Sequence, residues 1–424
     1  MSGHSITVSK TSGGIPVVVE NIPGSESIAY MIGVATGSRD ETSDIFGLSH
    51  LLEHTVFRET KTMDSYQMAK EIEGAGGELN AFTGREMTAF YGITINETAD
   101  VARRIVGDIL ANPLINENAT ELEKKIVLQE LSMVKSEPER YIHDLFSMVL
   151  WKGHELCQDE GGDEKLVAGM TYKDLRAYYD EKYRIPNLSV YAVGTPDMDE
   201  TVAWAEETLD GMAGGKRNVR TAPPAPKGKY EFVASDSEHY QVAMGFEAYG
   251  ASHKDRTAAS MLSAILGSGT SSRLFQDVRE KKALVYSIFN SISQNSDASS
   301  FATYMSCTKG NVIEAMETTS QVLGKFLAEG LEKGELERAK RLVKGSNIRA
   351  MESTDNRLYR LGVNHMLNES TETLEQRLQK IDAVTEDDVM RVARDILKPD
   401  QMNIVVLGKN NRTFKKLDLS SFAF

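Results

Sequence analysis

Five consecutive residues, His50-Leu51-Leu52-Glu53-His54, gather two imidazoles and a carboxylate in one short stretch. Residues four apart on a helix lie on one face about a turn apart, so His50 and His54 would point the same way. Neutral imidazole is a favoured zinc ligand, and a glutamate beside the second histidine can serve a water at the metal without binding the metal itself. The spacing is the inverted HxxEH form of the zinc-protease signature and points to metal-dependent peptide hydrolysis. The chain has eight histidines, at 4, 50, 54, 143, 154, 239, 253 and 365, so an accidental pentad is uncommon. A helix carrying two satisfied core histidines would nevertheless read the same way.

The pentad needs a helix to carry it. One is expected over 46–59, with Asp44 as its start signal. Leu48, Leu51, Leu52 and Val56 recur at helical spacing and would form a buried stripe beside the histidines. A catalytic zinc also needs a third protein ligand. Residues 119–135 read as a second helix, with strong helix formers and no proline before Pro138. Glu123 and Glu130, seven apart, share one face of it two turns apart. Ile126, Val127, Leu131 and Val134 surround that face with apolar residues. A ligand carboxylate with a supporting one behind it is one reading; two solvated helix glutamates is the other.

Together these stretches resemble the M16, or pitrilysin, family of zinc peptidases in its half-length M16B-type branch, with mitochondrial processing peptidase among the relatives. The family pattern is HxxEH followed far downstream by a glutamate inside an ExxxxxxE helix. Here 76 residues separate His54 from Glu130, and Glu123 supplies the earlier glutamate. The resemblance implies His50, His54 and Glu130 as ligands of one zinc per chain. It implies Glu53 as general base and Glu123 as a carboxylate supporting the ligands.

A second match runs from Gly267-Ser268-Gly269-Thr270-Ser271-Ser272-Arg273-Leu274-Phe275 into Arg279 and Tyr286, and is similar to the family's GGGxSSRLF and RxxxxLxY elements. The resemblance implies that Arg279 and Tyr286 complete the site. Read alone they would be ordinary surface and core residues, and the glycines are no phosphate loop because Gly-Lys-Ser/Thr is missing. The third match is Gly76-Gly77-Glu78-Leu79-Asn80-Ala81-Phe82-Thr83. It resembles the family's glycine pair before an edge strand that takes substrate backbone as an added strand. Leu79, Asn80, Ala81 and Thr83 are then substrate-binding, although a plain β-hairpin accounts for the same residues. Two stretches depart from the family pattern, 55–60 and the His154-Glu155-Leu156-Cys157 run, and neither holds an expected ligand.

The fold implied is α+β, of the LuxS/MPP-like metallohydrolase type: two homologous half-domains, each a mostly antiparallel sheet with helices packed on one side. Strands read at 6–10, 15–21, 27–36, 79–83, 86–95 and 187–194, and helices at 65–74, 99–111 and 172–182 as well as those above, fit that class. Residues 213–229 read as a linker, with three of the ten prolines and five basic residues, between a zinc-binding domain at 1–212 and a second domain at 230–424. The second half repeats the opening of the first, a strand at 238–250 then a helix at 258–266, without a second HxxEH. This reads as an internal duplication.

A net charge of −14 argues against nucleic-acid partners, whose phosphates attract Lys and Arg. No run approaches the ~20 apolar residues of a bilayer span, and residues 1–6 do not read as a signal peptide. Two cysteines, Cys157 and Cys307, fit a reducing, cytoplasmic setting. The expected activity is that of a zinc metalloendopeptidase cleaving unfolded peptides or flexible segments inside the chamber of a homodimer. A heterodimer with a related chain, a non-catalytic scaffold subunit and a dedicated peptide-maturation protease are the alternatives.

Overall fold

Side-chain alternation decides how each strand is used. In the strand Ser27–Val34, Ile28, Tyr30, Ile32 and Val34 enter one apolar core, and Ala29 and Met31 enter another on the opposite face. A strand covered on both faces must be apolar nearly throughout, and this one is. The computed structural model describes residues 4–225, 227–410, 414, 417, 418, 422 and 424. Residues 1–3 of the N-terminal reading and Pro226 of the expected linker lie outside them.

In chain order the first elements are β1 (Ser5–Lys10), β2 (Pro16–Asn21), β3 (Ser27–Val34), α1 (Leu48–Val56), α2 (Ser65–Gly74), β4 (Glu78–Thr83), β5 (Thr88–Ile95), α3 (Ala99–Ala111) and α4 (Glu117–Ser136). Then come α5 (Pro138–Leu150), α6 (Glu164–Gly169), α7 (Tyr172–Lys182), β6 (Leu188–Gly194) and α8 (Met198–Leu209). The second half adds β7 (Tyr230–Ala234), β8 (Tyr240–Tyr249), α9 (Arg256–Gly267), β9 (Ser287–Gln294), β10 (Ala298–Cys307), α10 (Val312–Glu329) and α11 (Glu335–Ala350). It ends with α12 (Thr354–Asn368), α13 (Leu374–Ala383), α14 (Glu386–Ile396) and β11 (Asn403–Gly408).

The chain divides into two compact units. The first holds the chain up to Leu131, Gln158–Thr221 and Ile348–Leu374. Its six-stranded sheet runs β1-β2-β6-β3-β5-β4, antiparallel except for β2 against β6. Residues of α1, α3, α4, α7 and α8 build the core on one face, and Leu358, Leu361 and Met366 of α12 cover the other. The strand β4 closes one edge of this sheet.

The second unit holds Ser132–Cys157, Ala222–Asn347 and the chain from Glu375. Its sheet runs β7-β11-β8-β10-β9, antiparallel except for β7 against β11. Helices α9, α10 and α14 supply the core on one face, and Ile142, Leu145, Phe146 and Val149 of α5 cover the other. Strand for strand, this order repeats β2-β6-β3-β5-β4 with the same single parallel pair. The fold is therefore α+β and internally duplicated.

The units differ from the expected halves at 1–212 and 230–424 in two ways. Each sheet takes one covering helix, α5 or α12, from the other half of the sequence. The division falls between Thr221 and Ala222, so the first part of the expected linker belongs to the first unit. Among the described residues no helix is long and apolar enough to cross a membrane.

Candidate metal centre

The helix α1 is held by its buried stripe and by its first turn. Leu48, Leu51, Leu52 and Val56 are all within the core. The start is set by Gly47, not by Asp44, whose carboxylate accepts instead from the Thr42 hydroxyl. Gly47 has φ 100, and a Cβ there would lie 2.8 Å from the Gly161 carbonyl oxygen, so both conformation and space call for glycine. Its N–H and that of Ser49 donate to the buried Glu41 carboxylate at 2.8 and 2.6 Å. A remote carboxylate thus does the work of a local cap, where the partial positive charge of the helix start favours an anion. Burial pushes the Glu41 carboxyl up to about 7, against the pull of the Ser49 and Gly47 N–H groups.

His50 and His54 stack edge to face with ring centroids 4.7 Å apart. The Glu130 Oε2 atom lies 3.9 Å from His50 Nε2 and 3.5 Å from His54 Nε2. The ligand atoms of these three residues all lie within 4.8 Å of one another. With bonds of about 2.0–2.1 Å, tetrahedral zinc holds its ligand atoms about 3.3–3.4 Å apart, so a small contraction would close the triad on an ion. Two imidazoles and one carboxylate leave a fourth position open, as a catalytic site requires.

Glu123, seven residues before Glu130 on α4, is almost fully buried. Its Oε2 lies 3.1 Å from His54 Nδ1, and its Oε1 lies 3.4 Å from Arg58 Nε. A carboxylate at Nδ1 favours the tautomer whose Nε2 lone pair faces Glu130. Burial opposes a proton on His54, but the hydrogen bond it donates to Glu123 and the charges of Glu53, Glu130 and Glu123 outweigh it and hold its pKa above the ordinary value. The field that favours a proton there also favours a divalent cation. These residues fit zinc.

Glu53 stands beside the triad without joining it. Its Oε2 accepts from the Thr83 hydroxyl at 2.5 Å, at the end of β4. Burial raises its pKa, with the Thr83 hydrogen bond and the His54 charge pulling the other way. In β4 the side chains of Leu79 and Ala81 rest against the core, and the Ala81 N–H donates to Asn80 Oδ1 at 2.8 Å. Among the described residues the strand pairs with β5 alone.

Arg279 and Tyr286 lie in the second unit. Arg279 lies near the end of a π-helical turn, Phe275–Glu280, with its guanidinium 4.6 Å from the Phe275 ring centre. Such turns are frequent at functional sites. Tyr286 is exposed and meets the His239 ring edge to face at 5.0 Å between centroids. Arg273 of the same motif is a structural residue: it donates to both Glu335 oxygens at 2.9 and 2.6 Å.

The sequence reading overlooked two participants, Arg58 and Glu41, and one contact of a third, Thr83. Arg58 falls in the stretch 55–60, which departs from the family pattern and holds no expected ligand, yet it touches Glu123. Its position, one turn after His54 on the same face, was the available signal. Thr83, expected to meet substrate, also holds Glu53. Glu41 left no local signal, because it caps a helix that starts seven residues later.

Two family descriptions match the chain. Residues 16–160 match "Insulinase (Peptidase family M16)" and residues 169–343 match "Peptidase M16 inactive domain". A protein of Mycobacterium leprae named an uncharacterized zinc protease is 31% identical over 406 residues, covering 93% of this chain and 90% of its own. The uncharacterized zinc protease YmxG of Bacillus subtilis is 30% identical over 399 residues, covering 94% and 97%. Among solved structures, a protease from Helicobacter pylori superposes with a TM-score of 0.88 at 21% identity, covering 96% of this chain and all of its own. A peptidase M16 inactive domain from Pseudomonas fluorescens gives 0.89 at 19%, covering 96% and 98%. The HxxEH helix with its distant glutamate, the duplicated sheet topology and relatives spanning nearly the whole chain converge on one conclusion: this protein belongs to the M16 family of peptidases.

Proposed function

We propose that the protein is a zinc metalloendopeptidase acting on unfolded peptides and flexible segments. The observation that carries the reading is the convergence of His50, His54 and Glu130, with Glu53 beside them but outside the triad. The family match that covers these residues is the one described as Insulinase, and relatives of similar length carry the name zinc protease. One zinc per chain is expected, since HxxEH occurs in the first half alone.

His50, His54 and Glu130 would hold zinc, which would supply Lewis acidity and lower the pKa of water. Thr83 occupies Glu53 Oε2, which leaves Oε1 to accept a proton from the attacking water. Glu53 then delivers that proton to the leaving amine as the C–N bond breaks. The substrate backbone lies along the open edge of β4 at Leu79, Asn80, Ala81 and Thr83, a mode that reads main chain more than sequence. Tyr286 donates its hydroxyl to the oxyanion and Arg279 orients the peptide.

The working unit in this reading is a homodimer, in which the Arg279–Tyr286 element of one protomer serves the metal centre of its partner. The two free cysteines support a reducing, cytoplasmic setting. Turnover of a fluorogenic peptide tests the reading: it should stop on chelation, return with zinc, and be absent in Glu53→Gln at full zinc occupancy. Mixing inactive Glu53→Gln and Tyr286→Phe chains should restore part of the activity through subunit exchange. Turnover that survives metal removal would contradict the proposal. Failure of complementation despite demonstrated exchange would remove the dimer from it.

A further inference from the structure

The stretch 213–221, which reads as a free connector, is fastened to the unit that bears the metal residues. Arg220 grips Asp40 with two prongs, Nε to Oδ1 at 3.0 Å and Nη2 to Oδ2 at 2.7 Å. The same Nη2 donates to the Glu86 carbonyl at 2.7 Å and to the Ala35 carbonyl at 3.2 Å. Arg39 pairs with Glu86 and donates to the Thr221 carbonyl at 2.6 Å. Four charges of alternating sign are thus interleaved, and none of their side chains is more than 16% exposed. Asn218 adds a bond from Nδ2 to the Ala35 carbonyl at 2.8 Å.

The network clamps two segments together. Residues 37–40 run against the turn that joins β4 to β5, with Ser38 N–H donating to the Gly84 carbonyl at 3.3 Å and Arg39 N–H to the Arg85 carbonyl at 2.9 Å. The approach is so close that a Cβ on Gly37 would lie 2.1 Å from the Gly84 carbonyl oxygen. Each clamped segment leads straight to the metal centre. One residue after Asp40, Glu41 holds the start of α1, which carries both histidines. One residue before Gly84, Thr83 holds Glu53.

We infer that Arg220 is a positioning residue for Glu53: the connector, through the 84–86 turn and Thr83, fixes where the carboxylate stands relative to the metal ligands. The inference rests on the reading of Glu53 as the base. Catalytic groups must be held within about 0.5 Å of productive geometry, and a shift of about 1 Å can cost up to 100-fold in rate. Glu53 depends on one hydroxyl at the end of an edge strand, so the anchorage of the adjoining turn sets that tolerance. A network that served stability alone would not need to end on these two loops.

The test uses the full-length zinc-loaded protein. Arg220→Lys keeps the charge but loses the two-pronged geometry and spares the fold better than alanine. Thr83→Val removes the hydroxyl at nearly constant volume. Arg220→Lys should lower kcat about tenfold with KM, zinc content and circular dichroism unchanged. In the Thr83→Val background it should have little further effect, because the link through which it acts is gone. A lower melting temperature with unchanged kcat, or an undiminished tenfold loss in the Thr83→Val background, would overturn the inference while Glu53→Gln remained inactive. An active Glu53→Gln would overturn the underlying reading and the inference with it.

Discussion

Removing the Glu123 carboxylate should loosen zinc without touching a ligand. Its Oε2 lies 3.1 Å from His54 Nδ1 in a nearly fully buried setting, and that contact selects the tautomer that leaves Nε2 free to bind. A hydrogen bond to a charged group contributes about 1.5–3 kcal/mol net. Removal of such a supporting partner typically costs 10–100-fold in metal affinity, or about 1.4–2.7 kcal/mol, so two independent lines give the same range. Arg58, the other partner of Glu123, is 39% exposed and can return to water, so its loss adds little. Competition with a chromogenic chelator would measure the zinc affinity of wild type, Glu123→Gln and Glu123→Ala. Alanine should lose 10–100-fold, and glutamine less, because its carbonyl oxygen still accepts from Nδ1–H. A Glu123→Ala protein that binds zinc within about twofold of wild type would show that Glu123 does not support His54. Packing of α1 alone would then fix the His54 ring.

Three further outcomes are expected. Because burial raises the Glu41 carboxyl from 4.5 to about 7, the folded state keeps a proton that the unfolded chain has lost between those values. Stability should therefore fall as pH rises through that window, by up to about 3 kcal/mol, and denaturant titrations at several pH values should show Glu41→Gln lacking this part of the dependence. Gly47→Ala should cost about 2 kcal/mol or more and weaken zinc binding, whereas thermal melts of Gly74→Ala, where a Cβ meets nothing within 4 Å, should show no loss. A peptide with proline at a residue that pairs with β4 should resist cleavage, since proline lacks the N–H that strand pairing uses. Equal cleavage of the proline peptide and its alanine counterpart would rule out strand addition.

Local periodicity made much of the fold legible. Helix 119–135 is observed at Glu117–Ser136, and strand 27–36 at Ser27–Val34, because long amphipathic or two-face apolar runs fix their own conformation. The expected ligands His50, His54 and Glu130 do meet. What periodicity lacks is an address. The helix Pro138–Leu150 is not among the expected elements, although it has an apolar face and proline at its first position, and nothing in it says that it covers the second sheet. Ile126, expected in the apolar surround of Glu123, is exposed, because the buried side of α4 is carried by Val127 and Leu131. The connector misled for a related reason: Pro, Gly and basic residues suggest a solvated chain, but Arg220 and Asn218 find partners distant in sequence. The start of α1 depends on Glu41 and the left-handed Gly47 rather than on Asp44, because a buried carboxylate aimed at two N–H groups outcompetes an exposed one spent on Thr42.

In the proposed site His50, His54 and Glu130 bind the metal while Glu53 does not. Isothermal titration of metal-free protein with zinc, on wild type, Glu53→Gln and Glu130→Gln, separates these roles. One tight site per chain is predicted for wild type and Glu53→Gln, with much weaker binding in Glu130→Gln. Wild-type affinity in Glu130→Gln, or loss of the site in Glu53→Gln, would show that these ligand roles are wrong.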